Sequence, residues 1–382
     1  MFSLMGTWMQ ATAQGYLVYD LTHSPAYLGY VGFATGVPSW FLSLYAGSLA
    51  DRLRRRTLIM VFQSLMMALA FILAALTFSA VVQPWHIVIL ALLLGICAAF
   101  DAPTRQAFIS EMVADRADTT NAVALNGMLF NAAIVVGPAV AGLVYAWAGP
   151  GWCFFLNGLS FLAVLGALAL MRLETEPLPP RTNIAQDMLD GFRYVRGHAT
   201  IRMLLFNVGI FSMLGFGLVT LLPAWAVKVL GGDVKTNGML LSMRGLGALV
   251  GGVTVAAQAR RSTRGKLWTL ASFLFPLIML AFSFTRWLPL SLLLMAGMGW
   301  CLISVNNNTN TLIQSACDDA MRGRVMGFFV LVLFGAGPIG SLVSGRLAQS
   351  LGEPTTARIF AGVLFAFATF VWVRMPQLRR LK

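Results

Sequence analysis

Apolar residues run along this chain in long uninterrupted blocks, not in the alternation of a strand or the one-sided stripe of a soluble helix. The stretches 57–81, 86–100, 132–148 and 361–373 hold almost no charge. With its flanks, each block approaches the roughly 20 residues a helix needs to cross hydrocarbon. The pattern predicts twelve spanning helices, at 1–20, 25–49, 57–80, 85–107, 121–147, 150–172, 202–229, 235–259, 266–285, 287–313, 325–351 and 355–375. Trp85, Trp147, Trp152, Trp268, Trp287 and Trp372 fall near the ends of these spans, where indoles favour the headgroup layer. Span one begins at Met1 with no basic leader. A typical span plus leader would be longer by roughly 10–15 residues, so this first helix is expected to be truncated.

Composition points the same way. Charged residues are 11% and hydrophobic residues 58% of 382 positions, against roughly 25% charged in a soluble domain. Mean hydropathy is +0.77. Most of the exterior must therefore face lipid. A net charge of +13 would imply nucleic acid on a soluble chain. Here it reports orientation, because lysine and arginine collect on the cytoplasmic side of membrane proteins. With the N-terminus inside, all bases except Lys228, Lys235, Arg244, Arg286, Arg346 and Arg358 fall on inner connections or the tail. Both termini are expected in the cytoplasm, with no nucleic-acid partner. Cys97, Cys153, Cys301 and Cys317 show no CxxC spacing, so they read as packing residues without disulfide or metal. No cleavable signal peptide is evident.

The one long connection, 173–201, carries Pro177, Pro179 and Pro180 and then apolar positions at Ile184, Met188, Leu189, Phe192 and Val195. That spacing fits an amphipathic helix on the inner surface. It separates an N-terminal six-helix bundle (1–172) from a C-terminal one (202–382). The halves echo each other. "VVGPAVAG" (135–142) recurs as "GAGPIGS" (335–341), which sets Gly337 and Pro338 at the position of Gly137 and Pro138. "ISEMVADRADTTNA" (109–122) has a looser echo in "IQSACDDAMRGRVM" (313–326). Internal duplication of this kind is common in secondary transporters.

Four segments carry chemistry. "GSLADRLRRR" (47–56) lies between spans two and three. Gly47 allows close helix contact, and Asp51 is a lone acid in a basic cluster at a helix end, where it can pair with a base and face a helix N-terminus. The segment resembles the signature loop of the major facilitator superfamily: Gly47, Leu49, Asp51, Arg52, Arg55 and Arg56 match, and Arg54 replaces the usual second glycine. The resemblance implies two pseudo-symmetric six-helix bundles with a latch between them on the inner side. Topology anchoring is the plainer role for the bases. The second half keeps bases but no acid in "QARRSTRGK" (258–266). "GPAVAG" (137–142) resembles the antiporter motif of proton-coupled exporters through Gly137, Pro138 and Gly142, with Ala141 in a glycine place. Small residues permit close helix approach and Pro138 bends the helix. Small-residue packing alone is the competing reading. "DAPTRQAF" (101–108), with 6–25 and 121–142, resembles the bacterial enterobactin-exporter and drug-exporter branch of the superfamily over nearly the whole chain. That branch implies a bacterial inner-membrane location.

Asp101 is the one acid placed clearly inside a predicted span, where a carboxylate is costly and usually functional. Arg105 follows on the same helical face in the favourable acid-to-base order. Asp101 is a candidate proton site, or it joins Asp51 and Arg105 in a gate. Arg244 lies about 12 Å into span eight at helical rise; it either snorkels to Asp233 or faces a cavity and binds an anion. Polar cavity candidates are Gln10 and Gln14 in span one, Asn126 and Asn131 in span five, Asn207 in span seven, and Asn306, Asn307 and Asn310 in span ten. Interhelical hydrogen bonding is their plainer role. The 20 Met and 27 Phe residues suit a greasy cavity or lipid contact equally.

His23, His86 and His198 sit at span ends or loops, and no HExxH, GxSxG or Walker loop occurs. An enzyme and an ATP-driven pump are thereby disfavoured. The expected protein is a monomeric exporter of a drug-like or siderophore-like small molecule. It would work by alternating access and be driven by proton antiport without a cofactor. A symporter or a lysophospholipid mover of the same fold is the alternative.

Overall fold

A computed structural model describes residues 1–42, 45, 49, 53–109, 112, 118–171, 184–257 and 264–375, the side chains of 119, 120, 184–188 and 264 excepted. The described residues are helical. They form α1 (Phe2–Thr22), α2 (Pro25–Gly36), α3 (Arg55–Phe78), α4 (Pro84–Phe108), α5 (Thr119–Ala148), α6 (Pro150–Leu170), α7 (Ile184–Gly197), α8 (Ala199–Thr220), α9 (Val234–Ala257), α10 (Arg264–Phe284), α11 (Leu288–Ala316), α12 (Arg322–Leu351) and α13 (Glu353–Arg374). Ten of them are long and apolar enough to cross a membrane: α3 to α6, α8 with its extension to Val229, and α9 to α13. They match ten of the twelve predicted spans, and α1 and α2 lie where the first two are predicted. The polar Gln10, Thr12 and Gln14 of α1 are turned into protein and buried.

Two compact units divide the chain. Unit 1 is Met1–His23, Tyr30–Thr182 and Asp233–Met239; unit 2 is Ser24–Gly29, Asn183–Gly232 and Leu240–Lys382. In unit 1, α1 packs on α4, α5 and α6, α3 packs on α4 and α6, and α5 packs on α6. In unit 2, α8 packs on α11, α12 and α13, α10 packs on α11 and α13, and α12 packs on α13. Each pairing of unit 1 recurs in unit 2 seven labels on, and unit 2 adds α11 on α12 and α7 on α8 and α12, so the sequence echo is an echo of packing. The two tightest connections match as well. Gly149 alone joins α5 to α6 at φ 93°, and Gly352 alone joins α12 to α13 at φ 82°. Only glycine takes that conformation without strain. A proline within two residues then starts each following helix.

The core of unit 2 is one continuous apolar cluster through α8, α10, α11, α12 and α13, with Phe211, Trp225, Phe275 and Phe282 at its centre. Trp268 belongs to this cluster. It is 3% exposed and donates its indole N–H to the Thr309 hydroxyl at 2.9 Å, which corrects its assignment to the headgroup layer. Trp85, Trp147, Trp152, Trp287 and Trp372 are exposed. α8 does not stop at Thr220. After Pro223, which has no amide hydrogen to give, the chain relaxes into a π-helical turn over Trp225–Val229.

α7 is held on unit 2 by directional contacts. The Tyr194 hydroxyl donates to Asp318 Oδ2 at 3.0 Å and accepts from the Asp318 amide at 3.1 Å. Asp190 lies 3.9 Å from Arg324. Gly191 sits so near Phe328 that an added Cβ would be 3.0 Å from the ring. Beside this contact Cys317 is buried, and burial pushes its thiol pKa up. A raised pKa leaves less thiolate, the reactive form, near neutral pH. Maleimide labelling of Cys317 is therefore expected to be slower than for an exposed cysteine and to speed up as pH rises. Tyr194→Ala uncovers the thiol but also removes a contact that favours its thiolate, so it is expected to accelerate labelling at high pH, where the thiol is already ionised. Equal rates in both proteins would show that α7 does not shield the thiol.

Candidate functional site

α3 and α4 build the polar centre of unit 1. Asp101 is 3% exposed. Its Oδ2 lies 3.4 Å from Arg105 Nη2, one helical turn on, and its Oδ1 accepts from Gln63 Nε2 of α3 at 3.2 Å. Apolar layers close the pair on both sides. Ile59, Phe108 and Leu168 pack toward one end of the helices, and Met66, Cys97 and Phe161 toward the other. Phe62 and Phe100 stack beside it with centroids 4.7 Å apart. Pro103 interrupts α4 two residues after Asp101, so the carbonyl four residues before it loses its helical donor. The arrangement can hold one negative charge between apolar layers, with Arg105 as the cation that balances it among the described residues. That cation, Arg105, has a side chain 40% exposed and so keeps a route to water. Gln63 Oε1 has no donor. A protonated Asp101 would have one to offer, so the amide suits either state of the carboxyl.

The two bases that begin α3 reach the ends of other helices. Arg55 Nη1 donates to the Ala107 carbonyl in the last turn of α4 at 3.5 Å, and Arg56 Nη2 donates to the Ala169 carbonyl in the last turn of α6 at 2.9 Å. Cations are favoured at these C-termini, where carbonyls lack amide partners. Gly47, Asp51 and Arg52 lie outside the described residues.

Gly137 seats α5 on α1: a Cβ there would be 2.6 Å from Trp8 Cβ and 3.1 Å from the Met5 carbonyl. One added at Gly142 would be 3.0 Å from Lys235 Cα, within unit 1. In unit 2 the corresponding glycine is looser. A Cβ on Gly337 would make only ordinary contact with Phe216 at 3.5 Å. The close approach moves three residues on, to Gly340, where a Cβ would collide with the Met213 carbonyl of α8.

The polar candidates divide by partner. Gln10 accepts from Asn157 Nδ2 of α6 at 2.7 Å, and Gln14 donates to the Ile87 carbonyl at 3.4 Å. Asn131 turns back on its own helix to the Gly127 carbonyl at 2.9 Å, and Asn310 accepts from Gln314, one turn away. Asn126 and Asn307 are half-buried. Asn207 is fully buried with neither amide atom paired, and Asn306 is buried with Oδ1 unpaired. Arg244 Nε is buried and unpaired. Asp233 is taken up by the first turn of α9, accepting from the Lys235 and Thr236 amides at 3.0 and 3.1 Å. Gln10→Leu is expected to strand the Asn157 amide and lower the melting temperature by several degrees, in line with about 1–3 kcal/mol for an orphaned buried group. An unchanged melting curve in detergent would show that water replaces the lost partner.

Four residues matter that sequence spacing did not mark. Gln63 is the sole amide in the apolar run of α3, a signal that was there to be read. Asn157 pairs across 147 positions, which no local pattern reveals. Lys228 of the π-turn lies 3.2 Å from Glu353, which is 4% exposed at the start of α13. Asp101 is therefore not alone as a buried acid. The predicted span began at 355, two residues too late to include Glu353.

The family described as transmembrane secretion effector matches residues 1–381. The chain belongs to this family of the major facilitator superfamily. The transporter is 26% identical over 380 residues to a staphyloferrin A transporter of Staphylococcus aureus, covering 99% of this chain and 94% of that one. It is 27% identical over 368 residues to the multidrug efflux pump Tap of Mycolicibacterium fortuitum, covering 92% and 87%. To the enterobactin exporter EntS of Shigella boydii it is 26% identical over 377 residues, covering 95% and 86%. Among solved structures, the nucleoside transporter NupG superposes with a TM-score of 0.75 at 15% identity, covering 97% of this chain and 95% of that one. A bacterial homologue of the lysosomal transporter Spinster does so with a TM-score of 0.70 at 14% identity, covering 99% and 94%. These likenesses concern the fold. The protein is a multi-pass membrane transporter and not an enzyme.

Proposed function

We propose that this protein exports a small molecule across the bacterial inner membrane by alternating access, exchanging it for protons, with Asp101 as the group that binds the proton. The carrying observation is the Gln63–Asp101–Arg105 cluster, a carboxyl closed between apolar layers with one cation beside it. In the charged form Asp101 holds Arg105. Protonation removes that attraction and frees the guanidinium to hydrate, so proton binding and movement of α4 become one event. The gate and the proton site are then the same group. Export is the direction named for two of the relatives, the Tap efflux pump and the enterobactin exporter. Gly137 and Gly142 seal α5 by close packing. In this reading both termini are cytoplasmic, the transporter works as a monomer, and the proton gradient replaces any cofactor.

The test has two steps. A panel of catecholate and carboxylate siderophores and common antibiotics is scored for tolerance in a deletion strain and an overexpressing strain. The purified protein is then placed in weakly buffered proteoliposomes and each hit is added while internal pH is read. Substrate-dependent proton movement opposite to the substrate is expected. Movement in the same direction would establish a symporter, and substrate flux without proton movement would remove Asp101 from the coupling role.

A further inference from the structure

Buried polar side chains are almost always hydrogen-bonded, and the exceptions mark places where a further partner is missing. On α1, α3 and α6 the buried amides Gln10, Gln14, Gln63 and Asn157 all find protein partners. Unit 2 differs. The hydroxyls of Ser212 on α8 and Ser304 on α11, Asn306 Oδ1 and Arg244 Nε are buried without a partner. Ser212 and Ser304 are fully buried and Asn306 is 8% exposed. No ion pair to Arg244 occurs among the described residues, and Asp233, the acid that sequence offered it, is occupied by backbone amides.

Packing brings these groups to one stretch of the bundle. Gly299 of α11 rests on the Arg244 backbone so closely that a Cβ would strike its carbonyl. Asn306 follows Gly299 by seven residues, on the same face and about 10 Å further along at helical rise. Gly215 of α8 packs against Leu302, with a Cβ there 3.4 Å from its side chain. α8 and α11 run antiparallel, so Ser212, three residues before Gly215, falls toward Asn306. One end of the stretch thus holds Arg244, and the other offers the Ser212 hydroxyl and the Asn306 amide oxygen.

We propose that unit 2 recognises the substrate, and that the substrate is a small organic oxyanion, such as a carboxylate, that also carries hydroxyl or amide groups. A guanidinium without a counter-charge in an apolar bundle is costly. An oxyanion supplies that counter-charge through strong, paired hydrogen bonds. Asn306 and Ser212 then meet the polar groups of the same ligand. The assignment deepens the exporter reading and rests on it only for the direction of transport.

Two dyes with one ring system and opposite charge test it: carboxyfluorescein and a rhodamine cation. Binding to the purified protein is read by fluorescence polarisation, and efflux from proteoliposomes is read with and without a pH gradient. Wild type is expected to bind carboxyfluorescein in preference to the rhodamine. Arg244→Gln should weaken carboxyfluorescein binding tenfold or more while leaving rhodamine binding and the melting temperature in place. Arg244→Lys should retain part of the affinity, and Asn306→Ala should lose less than Arg244→Gln. Absence of carboxyfluorescein binding by wild type, a preference for the cation, or equal loss of both dyes in Arg244→Gln each overturns the assignment. Arg244-dependent binding with efflux indifferent to pH would overturn proton exchange and leave the anion assignment standing. Gradient-driven rhodamine efflux indifferent to Arg244 would do the reverse.

Discussion

Asp101→Asn is expected to abolish substrate transport while the protein still folds and reaches the membrane. Asparagine keeps the shape of the side chain and can still accept from Gln63, so the contact at 3.2 Å survives. It loses the charge that holds Arg105 and the ability to bind a proton. Breaking a fully buried ion pair costs roughly 3–5 kcal/mol. The Arg105 side chain is 40% exposed and hydrates when its partner becomes neutral, so the loss in stability is expected near 1 kcal/mol, a few degrees in melting temperature. Function separates cleanly from folding for that reason. The double variant Asp101→Asn with Arg105→Gln distinguishes the two parts of the role. If the pair only locks α4, removing both charges frees the lock and restores downhill substrate movement in vesicles. If Asp101 also carries the proton, the double variant still fails to drive uphill export from a pH gradient. Export at normal levels by Asp101→Asn, with normal protein abundance, would exclude both roles.

The parts of this site legible in sequence are those within one helix. Asp101 and Arg105 are one turn apart, and helical spacing alone places them together. The Gly-Pro echo at 137–138 and 337–338 is likewise a linear feature, and it marks helices that occupy equivalent places in the two packing lists. What escaped is what crosses helices. Gln63 reaches Asp101 over 38 positions and Asn157 reaches Gln10 over 147. A polar residue in an apolar span reads the same whether its partner is protein, water or substrate. Trp268 escaped for the same reason: its position near a span end fits a headgroup indole, yet Thr309 of α11 gives its N–H a buried acceptor. Glu353 was lost to a boundary, since an acid two residues before an apolar run looks like loop. The structure makes it the first residue of α13, 3.2 Å from Lys228.

The sharpest structural prediction concerns the second copy of the repeat. Sequence comparison singles out Gly337 beside Pro338, but packing assigns the close approach to Gly340. A Cβ on Gly340 would collide with the backbone carbonyl of Met213, and the Gly340 carbonyl would lie 2.9 Å from a Cβ on Gly217. Both neighbours are backbone, so neither can rotate away. Thr220 and Ser341 share a hydrogen bond of 2.8 Å one turn along the same seam. Gly340→Ala must push α8 and α12 apart, loosening the largest helix contact of unit 2 at a cost of about 1–3 kcal/mol, and Gly340→Leu by more. Gly337→Ala should stay within about 0.5 kcal/mol, as a substitution meeting only ordinary contact does. Membrane abundance and thermal melting in detergent give the comparison, with Gly340→Leu expected to leave little folded protein. Equal behaviour of Gly337→Ala and Gly340→Ala would refute the seam. In unit 1 the order reverses: the glycine beside the proline, Gly137, is itself the contact, against Trp8 and Met5 of α1. Gly137→Ala should therefore be harmful where Gly337→Ala is not. The two halves keep one helix pairing but set its closest point a turn apart, and only the packed side of each helix decides which glycine the fold requires.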